Sequence, residues 1–183
     1  MGKKILVITG SPRKKGNINK LVSAFAGGAI AAGNEVEIFD GATANMDGCH
    51  GDKSCSERGF CGLKDDGVKM NELMRWADVL VFASPVYWMG FTSHIKKVID
   101  RFYQFSFPKG RSTIHITDTY LIATAANPDA SIFDPMISSY NLVDQLLGFE
   151  SKGMLLCPGL DGPDAVKDHK EYLEAAVKMG VNV

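Results

Sequence analysis

The sequence has few cysteines, no long apolar run and almost no net charge. Only four cysteines occur among 183 residues, and these do not suggest the disulfide framework of a small secreted domain. The apolar runs are much shorter than a membrane span, and the apolar segment after Lys3 and Lys4 is too short for the core of a secretory signal. We therefore expect a cytoplasmic protein that does not act in a membrane.

The charge balance argues against nucleic acid as a partner. The chain carries 20 basic and 21 acidic residues, which gives a formal net charge of −1. Hydrophobic residues make up 45% and charged residues 22%, as in ordinary globular proteins, so disorder is excluded as the main state. We expect residues 1–183 to form a single domain with a substantial core.

Five segments have strand patterns, and helical patterns lie between them. Most of the strand segments are continuous apolar runs, as expected when helices cover both faces of a parallel sheet, whereas residues 35–39 alternate and suit an edge strand. The predicted strands are 4–9, 35–39, 78–83, 119–125 and 152–157; the predicted helices are 17–32, 68–76, 92–105, 138–147 and 165–179. The alternation predicts a flavodoxin-like, doubly wound α/β fold with helices on both faces and strand order 2-1-3-4-5.

Local signals refine this prediction. Asn17 and Thr92 are predicted helix N-caps, and Gly33-Asn34 is predicted to end the first helix. Residues 41–67 read as a long loop that holds three of the cysteines. Residues 106–118 read as an insertion that forms a short hairpin or an extended arm.

The turn after the first strand is typical of a phosphate site. It runs Gly10-Ser-Pro-Arg-Lys-Lys-Gly-Asn17 and leads directly into a helix. The unbonded N–H groups and the dipole of a helix N-terminus both attract an anion, and Arg13 and Lys14 add charge. The turn matches neither G-x-G-x-x-G nor G-x-x-x-x-G-K-[ST], so both of those nucleotide-binding motifs are excluded.

The loop after the third strand is rich in large apolar side chains. It runs Ser84-Pro-Val-Tyr-Trp-Met-Gly-Phe-Thr92, and rings at a loop tip are costly to leave in water. The loop therefore forms a core corner, a subunit contact or the wall of a flat aromatic ligand. In the predicted strand order both loops lie at the point where ligands bind. A phosphate joined to a tricyclic ring by a flexible chain is FMN.

These two loops, together with His94-Ile-Lys-Lys-Val-Ile-Asp-Arg101, resemble the NAD(P)H-dependent FMN reductase-like branch of the flavodoxin-like proteins, and within it the iron–sulfur flavoproteins most closely. The resemblance implies that the turn after the first strand binds the FMN phosphate and that the loop after the third strand binds the ring. A third contact loop is implied at 125–128. Ile18 replaces a small hydroxyl residue that is common in the family, and Asp100 and Arg101 are interpreted as structural. The implied FMN-binding residues are Ser11, Arg13, Asn17, Ile18, Asn19, Pro85, Val86, Tyr87, Trp88, Met89, Ala126 and Asn127.

The resemblance implies an FMN-dependent NAD(P)H oxidoreductase that passes hydride through flavin N5 to a quinone, a flavin or another small acceptor. No catalytic side chain is required, because the flavin carries the chemistry. The alternative is an electron-transfer flavoprotein with a ferredoxin-like partner, and a third class is a flavin-binding sensor or a domain without cofactor. Family members are homodimers or homotetramers, so we expect a homo-oligomer with the aromatic loop or the 106–118 segment near the contact.

The cysteine segment allows three interpretations. Iron–sulfur flavoproteins carry a compact four-cysteine motif for a [4Fe–4S] cluster here, whereas this chain has only Cys49, Cys55 and Cys61 at wider spacing. We favour cysteines without a cluster, as in many relatives, over a cluster completed by another ligand. A zinc site that adds His50 is the third interpretation. Cys157 lies on an apolar strand and is expected to be buried.

Overall fold

A computed structural model describes residues 2–183 of the chain. Its centre is one five-stranded, all-parallel sheet in the order β2-β1-β3-β4-β5, which confirms the predicted fold and strand order. The strands are β1 (Lys4–Thr9), β2 (Glu35–Asp40), β3 (Val79–Pro85), β4 (Asp118–Thr124) and β5 (Glu150–Cys157). The alternating strand, β2, lies at an edge as expected.

Within residues 2–183, seven α-helices connect and cover these strands. They are α1 (Asn17–Ala31), α2 (Ser54–Arg58), α3 (Gly67–Trp76), α4 (Ser93–Asp100), α5 (Pro108–Arg111), α6 (Asp134–Leu147) and α7 (Lys170–Val181), and short 3₁₀ helices span Arg101–Ser106, Ala130–Phe133 and Ala165–Asp168. Among residues 2–183, no helix has the length and apolar character that crossing a membrane requires.

The strands bury side chains on both faces of the sheet, which accounts for their continuous apolar sequences. On one face, Leu6 and Ile8 of β1 pack against residues of α3, α4 and α6. On the other, Ile5 and Val7 pack against α1 and α7. Because successive strand residues point to opposite faces, each strand contributes to two cores.

Helices α1 and α7 pack unusually closely through glycine. A Cβ atom added to Gly28 would lie 2.3 Å from the carbonyl oxygen of Val177, and one added to Gly180 would lie 2.0 Å from that of Phe25. Neither position has room for a side chain. These glycines therefore set the distance between the two helices.

Three local predictions are tested directly. Thr92 caps α4, since its Oγ1 accepts a hydrogen bond from the N–H of Ile95 at 3.4 Å. Gly33 follows α1 with a φ of +89°, as expected for a residue that ends the helix. Both predictions are confirmed. The prediction that Asn17 is an N-cap is wrong. Gly16 is the N-cap, and Asn17 is the first residue of α1.

The prediction of a hairpin or extended arm at 106–118 is also wrong. Pro108–Arg111 form the short helix α5, and the alternating residues beyond it do not pair as strands. Ile114 is 3% exposed and Ile116 is fully buried, so both belong to the core. The alternation of apolar and polar residues at 113–117 therefore reflects a connecting segment that sends side chains into the core, rather than a hairpin.

Candidate functional site

The loops that follow β1 and β3 meet at the carboxyl edge of the sheet. The N–H of Gly10 donates to the carbonyl of Ala83 at 2.8 Å, and Thr92 Oγ1 donates to the carbonyl of Gly10 at 2.7 Å. A Cβ atom at Gly10 would lie 2.6 Å from both Thr92 Oγ1 and Ile95 Cβ, so this approach requires glycine. The strand order reverses between β1 and β3, which is where ligands bind in folds of this kind.

A cavity opens at this junction. Eight of the twelve predicted binding residues line it, whereas Asn19, Trp88, Met89 and Asn127 do not. The lining residues are Ser11, Arg13, Gly16, Asn17, Ile18, Pro85, Val86, Tyr87, Thr124, Ala125, Ala126, Leu160, Asp161 and Gly162.

One end of the cavity carries uncapped N–H donors and a cation. Helix α1 begins there with no side-chain cap and no acidic residue in its first turn, so its first N–H groups remain available. Arg13 lines the cavity, and its guanidinium has no hydrogen-bond or ion-pair partner elsewhere in residues 2–183. The hydroxyl of Ser11, which is 5% exposed, accepts the N–H of Arg13 at 3.4 Å.

The side chain of Asn17 is turned to the protein rather than into the cavity. Its Nδ2 donates to the carbonyl of Gly162 at 2.8 Å and to that of Leu160 at 3.5 Å. Its Oδ1 accepts the N–H of Val166 at 3.2 Å. Asn17 therefore ties the first turn of α1 to the loop after β5.

Asn19 braces the turn from behind. Its Nδ2 donates to the carbonyls of Arg13 and Lys14 at 3.2 and 3.1 Å, while its Oδ1 accepts the hydroxyl of Thr9 at 3.2 Å. With both functional groups of the amide engaged, Asn19 shapes the turn after β1 (residues 10–17) rather than lining the cavity.

The other end of the cavity is an apolar wall made by the loop after β3. The N–H of Val86 donates to the carbonyl of Thr124 at 2.8 Å, which fixes the wall against β4. Tyr87 and Gly90 exchange two backbone hydrogen bonds of 3.0 and 3.1 Å across a two-residue turn. Pro85, Val86 and Tyr87 reach the cavity from this loop.

The two residues at the turn have left-handed backbone conformations that favour glycine or asparagine. Trp88 has a φ of +45° and Met89 a φ of +67°. Trp88 is 96% exposed and Met89 54%, so both project beyond the cavity. The turn holds a large aromatic ring in water at the mouth of the site.

Sequence analysis did not include the loop after β5. Leu160, Asp161 and Gly162 line the cavity beside the first turn of α1. The N–H of Leu160 donates to the carbonyl of Ala125 at 2.8 Å, which joins this loop to the one after β4. The signal available was the Pro158-Gly-Leu-Asp-Gly-Pro163 turn pattern directly after a predicted strand.

Asn127 lies near the junction of these loops. Its carbonyl accepts the N–H of Gly159 at 3.0 Å, and its Oδ1 accepts the N–H of Asp129 at 2.9 Å. The neighbouring Ala126 lines the cavity. Asn127 thus organises the contact loop, with its side-chain oxygen engaged in a local turn.

The long segment between β2 and α3 is held by a buried arginine. The side chain of Arg101 is 1% exposed, and its Nη1 and Nη2 donate to the two carboxylate oxygens of Asp65 at 3.0 and 3.2 Å. Nη1 also donates to the carbonyl of Asp47 at 3.1 Å. The structural role predicted for Arg101 is thus an ion pair within the chain.

The electrostatics of this pair follow from burial and close contact. Burial of Asp65 would raise its pKa, but hydrogen bonds from Arg101 and from the N–H groups of Asp47 and Gly67 hold that pKa below its ordinary value. Burial opposes the charge of Arg101, but Asp65 and the nearby Cys61 raise the pKa of this guanidinium above its ordinary value. Both groups are therefore charged near neutral pH.

The cysteines do not form a donor set that fits an iron–sulfur cluster. Cys49 is exposed, Cys55 is buried in α2 and Cys61 is half-buried beside the cationic Arg101. A four-iron cluster needs four ligands, usually thiolates, around one space. Within residues 2–183, no three His, Cys, Asp or Glu side chains come together in a way that could hold a metal ion.

Comparison with known proteins identifies the family. Residues 3–126 match the family described as NADPH-dependent FMN reductase. The chain belongs to this family. The predicted resemblance is confirmed, and so is the predicted cofactor FMN.

Individual relatives agree with this placement. An iron–sulfur flavoprotein of Methanocaldococcus jannaschii is 34% identical over 98 residues, which are 54% of this chain and 51% of that protein. One from Archaeoglobus fulgidus is 35% identical over 98 residues, or 54% of this chain and 44% of that protein. The match thus spans about half the length of these relatives. A Bacillus subtilis protein, YwqN, with the proposed name NAD(P)H-dependent FMN-containing oxidoreductase, is 26% identical over 180 residues and 96% of both chains.

Solved structures confirm the fold. An NAD(P)H:quinone oxidoreductase from Methanothermobacter marburgensis superimposes with a TM-score of 0.81 at 20% identity, over 100% of this chain and 96% of that one. The Trp repressor binding protein of Bacillus subtilis gives a TM-score of 0.72 at 26% identity, over 96% of this chain and 99% of that one.

Proposed function

We propose that this chain binds FMN in the cavity between the β1 and β3 loops and is an NAD(P)H oxidoreductase with a small electron acceptor. The observation that carries the proposal is the pairing of two unlike ends in one cavity. An uncapped helix N-terminus with the unpartnered Arg13 lies at one end, and the apolar wall of Pro85, Val86 and Tyr87 at the other. A phosphate and a planar ring fit these two ends.

The residues at the anion end would hold the phosphate by charge and by N–H donors. Arg13 supplies a charged donor, and the first turn of α1 supplies backbone N–H groups of residues 17–19. Ser11 adds a hydroxyl next to the same turn. Asn17 and Asn19 act indirectly, because their amides hold the loop in the shape that points these donors at the ligand.

The residues at the apolar end would position the ring and exclude water. Pro85 and Val86 are fixed to β4 through the hydrogen bond between Val86 and Thr124, so this wall is rigid. Tyr87 closes one side, while Trp88 and Met89 extend past the mouth, where a nicotinamide or an acceptor would enter. No residue here is needed to donate or accept a proton in the transfer.

FMN, when bound, supplies the hydride chemistry between NAD(P)H and a quinone, a flavin or another small acceptor. The contribution of the chain is binding, orientation and a ring face left accessible at the mouth. We further propose that residues 1–183 act as one domain in a homodimer or homotetramer. A cytoplasmic location stays a prediction from the sequence.

A second candidate is an electron carrier that exchanges electrons with a ferredoxin-like protein. The names of the relatives at 34–35% identity favour it, since they are iron–sulfur flavoproteins. The cysteine geometry of this chain does not support a cluster, so this function would depend on FMN alone. We therefore prefer the reductase.

An absorption spectrum separates these functions. The protein is purified without oxygen, scanned across the near-ultraviolet and visible, and scanned again after addition of NADPH or NADH. We expect flavin bands that bleach with one of the two nucleotides. Flavin bands that persist would favour the electron carrier, and no visible absorbance after incubation with FMN would contradict the proposed cofactor site.

A further inference from the structure

The loop after β5 forms a third wall of the cavity, beside the anion end and the apolar end. Leu160, Asp161 and Gly162 line the cavity from this loop. Among the lining residues, Asp161 is the only acidic one and Arg13 the only basic one. An acidic side chain in a cavity that receives a phosphate is unfavourable unless it binds another part of the ligand.

Asp161 is held in place through its two neighbours. On one side, the N–H of Leu160 donates to the carbonyl of Ala125 at 2.8 Å, and Leu160 is 4% exposed. On the other side, the carbonyl of Gly162 accepts a hydrogen bond from Asn17 Nδ2 at 2.8 Å. Gly162 has a φ of +98°, which favours glycine. Asp161 therefore lies at a fixed point of the cavity wall, with its side chain exposed.

The carboxylate of Asp161 has no partner in the described part of the protein. Within residues 2–183 it accepts no hydrogen bond, and Lys20 and Lys167 on the neighbouring elements pair with Asp164 instead. Arg13 lines the same cavity, yet it forms no ion pair with Asp161. Both charged groups of the cavity are thus available to a ligand.

The chemistry of a carboxylate limits what Asp161 recognises. An ionised carboxylate only accepts hydrogen bonds, so its complement in a ligand is a hydroxyl or an N–H group. An ionised phosphate offers no such donor, and its negative charge repels the carboxylate. Asp161 therefore indicates a ligand that carries hydrogen-bond donors close to its anionic group.

The position of Asp161 shows which part of the ligand it meets. Gly162 contacts Asn17, the first residue of α1, so Asp161 lies on the side of the anion end. The planar ring fits the separate wall that Pro85 and Val86 help to form. In FMN, the chain that joins the phosphate to the ring is a polyol with free hydroxyl groups. These hydroxyls are the donors that lie next to the phosphate.

We propose that the carboxylate of Asp161 binds the ribityl chain of the flavin by accepting hydrogen bonds from its hydroxyl groups. The inference rests on the proposed function and adds to it a residue that recognises the chain between the phosphate and the ring. Arg13 then selects for the phosphate, whereas Asp161 selects for a hydroxylated chain over a plain alkyl chain.

Titration with a pair of ligands tests this contact. The protein, freed of flavin, is titrated with FMN and with a synthetic FMN analogue that keeps the ring and the phosphate but has a pentyl chain in place of the ribityl chain. Quenching of flavin fluorescence measures both affinities. We expect Asp161→Ala to weaken FMN binding about tenfold, as for the loss of a hydrogen bond to a charged group, and to leave the affinity for the analogue unchanged.

Two further variants serve as controls. Asp161→Asn keeps one acceptor oxygen without the charge, so its FMN affinity should lie between those of wild type and Asp161→Ala. Asp168→Ala removes an equal charge from the 3₁₀ helix that follows the loop, outside the cavity, and should bind both ligands as wild type does. Thermal denaturation of the flavin-free variants at Asp161 should give the Tm of wild type, because this side chain has no partner within residues 2–183.

Three outcomes would overturn the proposal. Equal weakening of FMN and of the analogue by Asp161→Ala would mean that the residue only shapes the loop. Tighter binding of both ligands would mean that the carboxylate only repels the phosphate, and unchanged FMN affinity would mean that it contacts neither group. A failure of the proposed function gives a different result: wild-type protein would bind no FMN, or Arg13→Ala would bind it as tightly as wild type.

Discussion

Asn17 donates a 2.8 Å hydrogen bond from its side chain to the carbonyl of Gly162, which lies 145 residues further along the chain. This bond joins the anion end of the cavity to the loop after β5. Asn17 is 8% exposed, and its amide also contacts Leu160 and Val166. The position of the turn after β1 therefore depends on a side chain that faces the protein rather than the cavity.

We expect Asn17→Ala to lower both stability and flavin affinity. The substitution leaves two carbonyls and one N–H of the β5–α7 loop without partners, which costs about 1–3 kcal/mol in free energy of unfolding. Urea denaturation measures this loss, with Asn182→Ala as a control, since Asn182 makes only an exposed bond near the end of α7. Reduced FMN affinity with unchanged stability would instead indicate that the Asn17 side chain turns to the ligand.

Arg13→Ala should weaken FMN binding by about 1.5–3 kcal/mol, the value of a charged hydrogen bond to phosphate. Lys14→Ala is the matched control, because Lys14 is an adjacent cation that lines a different pocket. Titration with riboflavin, which has no phosphate, should not distinguish Arg13→Ala from wild type. Equal FMN affinity in wild type and Arg13→Ala would contradict the assigned anion site.

The fold was predictable because its strands are buried on both faces. Continuous apolar runs such as Ile5 to Ile8, alternating with helices, fit a parallel sheet covered on both sides, and right-handed crossovers then allow few strand orders. The turn after β1 was also predictable as a strand-to-helix connection, since its form depends on residues adjacent in sequence. Gly10 allows the turn to approach Thr92 and Ile95 closely, and its place in a turn pattern directly after a strand indicated such an approach.

The remaining details depend on contacts that no local pattern contains. Whether Asn17 faces the ligand or the protein is decided by a loop that arrives 143 residues later, at Leu160. The inward packing of Ile114 and Ile116 likewise depends on the core space that these side chains fill, so their alternation was misinterpreted as a hairpin. The left-handed conformation of Trp88 contradicts its residue preference, so local propensity could not predict it.

Two adjacent glycines of α1 should respond oppositely to alanine. A Cβ atom at Gly27 meets nothing within 4 Å, so Gly27→Ala should stabilise the protein by about 0.5–1 kcal/mol through reduced backbone entropy. A Cβ atom at Gly28 would lie 2.3 Å from the backbone of α7, so Gly28→Ala should destabilise it by about 1–3 kcal/mol. Thermal denaturation measures both, and effects of the same sign would contradict the close packing of α1 on α7.

Trp88→Asn separates backbone strain from ligand contact. Asparagine tolerates a φ of +45°, so the variant should gain about 1 kcal/mol in free energy of unfolding. If Trp88 covers the acceptor, kcat/KM for a quinone should fall about threefold to tenfold, the effect of losing a stacking contact of about 0.5–1.5 kcal/mol. FMN affinity should not change. Unchanged kinetics together with a smaller oligomer in sedimentation would assign Trp88 to a subunit contact instead.

The buried carboxyl group of Asp144 should make the stability of the protein depend on pH. Asp144 is 4% exposed, its Oδ2 accepts the hydroxyl of Thr119 at 2.6 Å, and its Oδ1 has no partner within residues 2–183. Burial raises the pKa of Asp144 above its ordinary value of 3.8, although hydrogen bonds from Thr119 and Tyr140 partly oppose this. Thr119 Oγ1 also contacts the hydroxyl of Tyr140, whose pKa burial raises to about 12.

The direction of the pH effect follows from which state holds the proton. Above the ordinary pKa of 3.8 the unfolded chain loses the Asp144 proton while the folded chain keeps it, so the free energy of unfolding falls as pH rises from 3.8 towards the folded-state pKa and is level above it. Asp65 and Asp118, whose pKa values are lowered, act in the opposite sense in acid. Because they are present in both proteins, their effect cancels when Asp144→Asn is compared with wild type. Urea denaturation from pH 4 to pH 8 should show Asp144→Asn gaining stability relative to wild type as pH rises. A difference between the two proteins that does not change with pH would mean that Asp144 is ionised in the folded protein throughout this range.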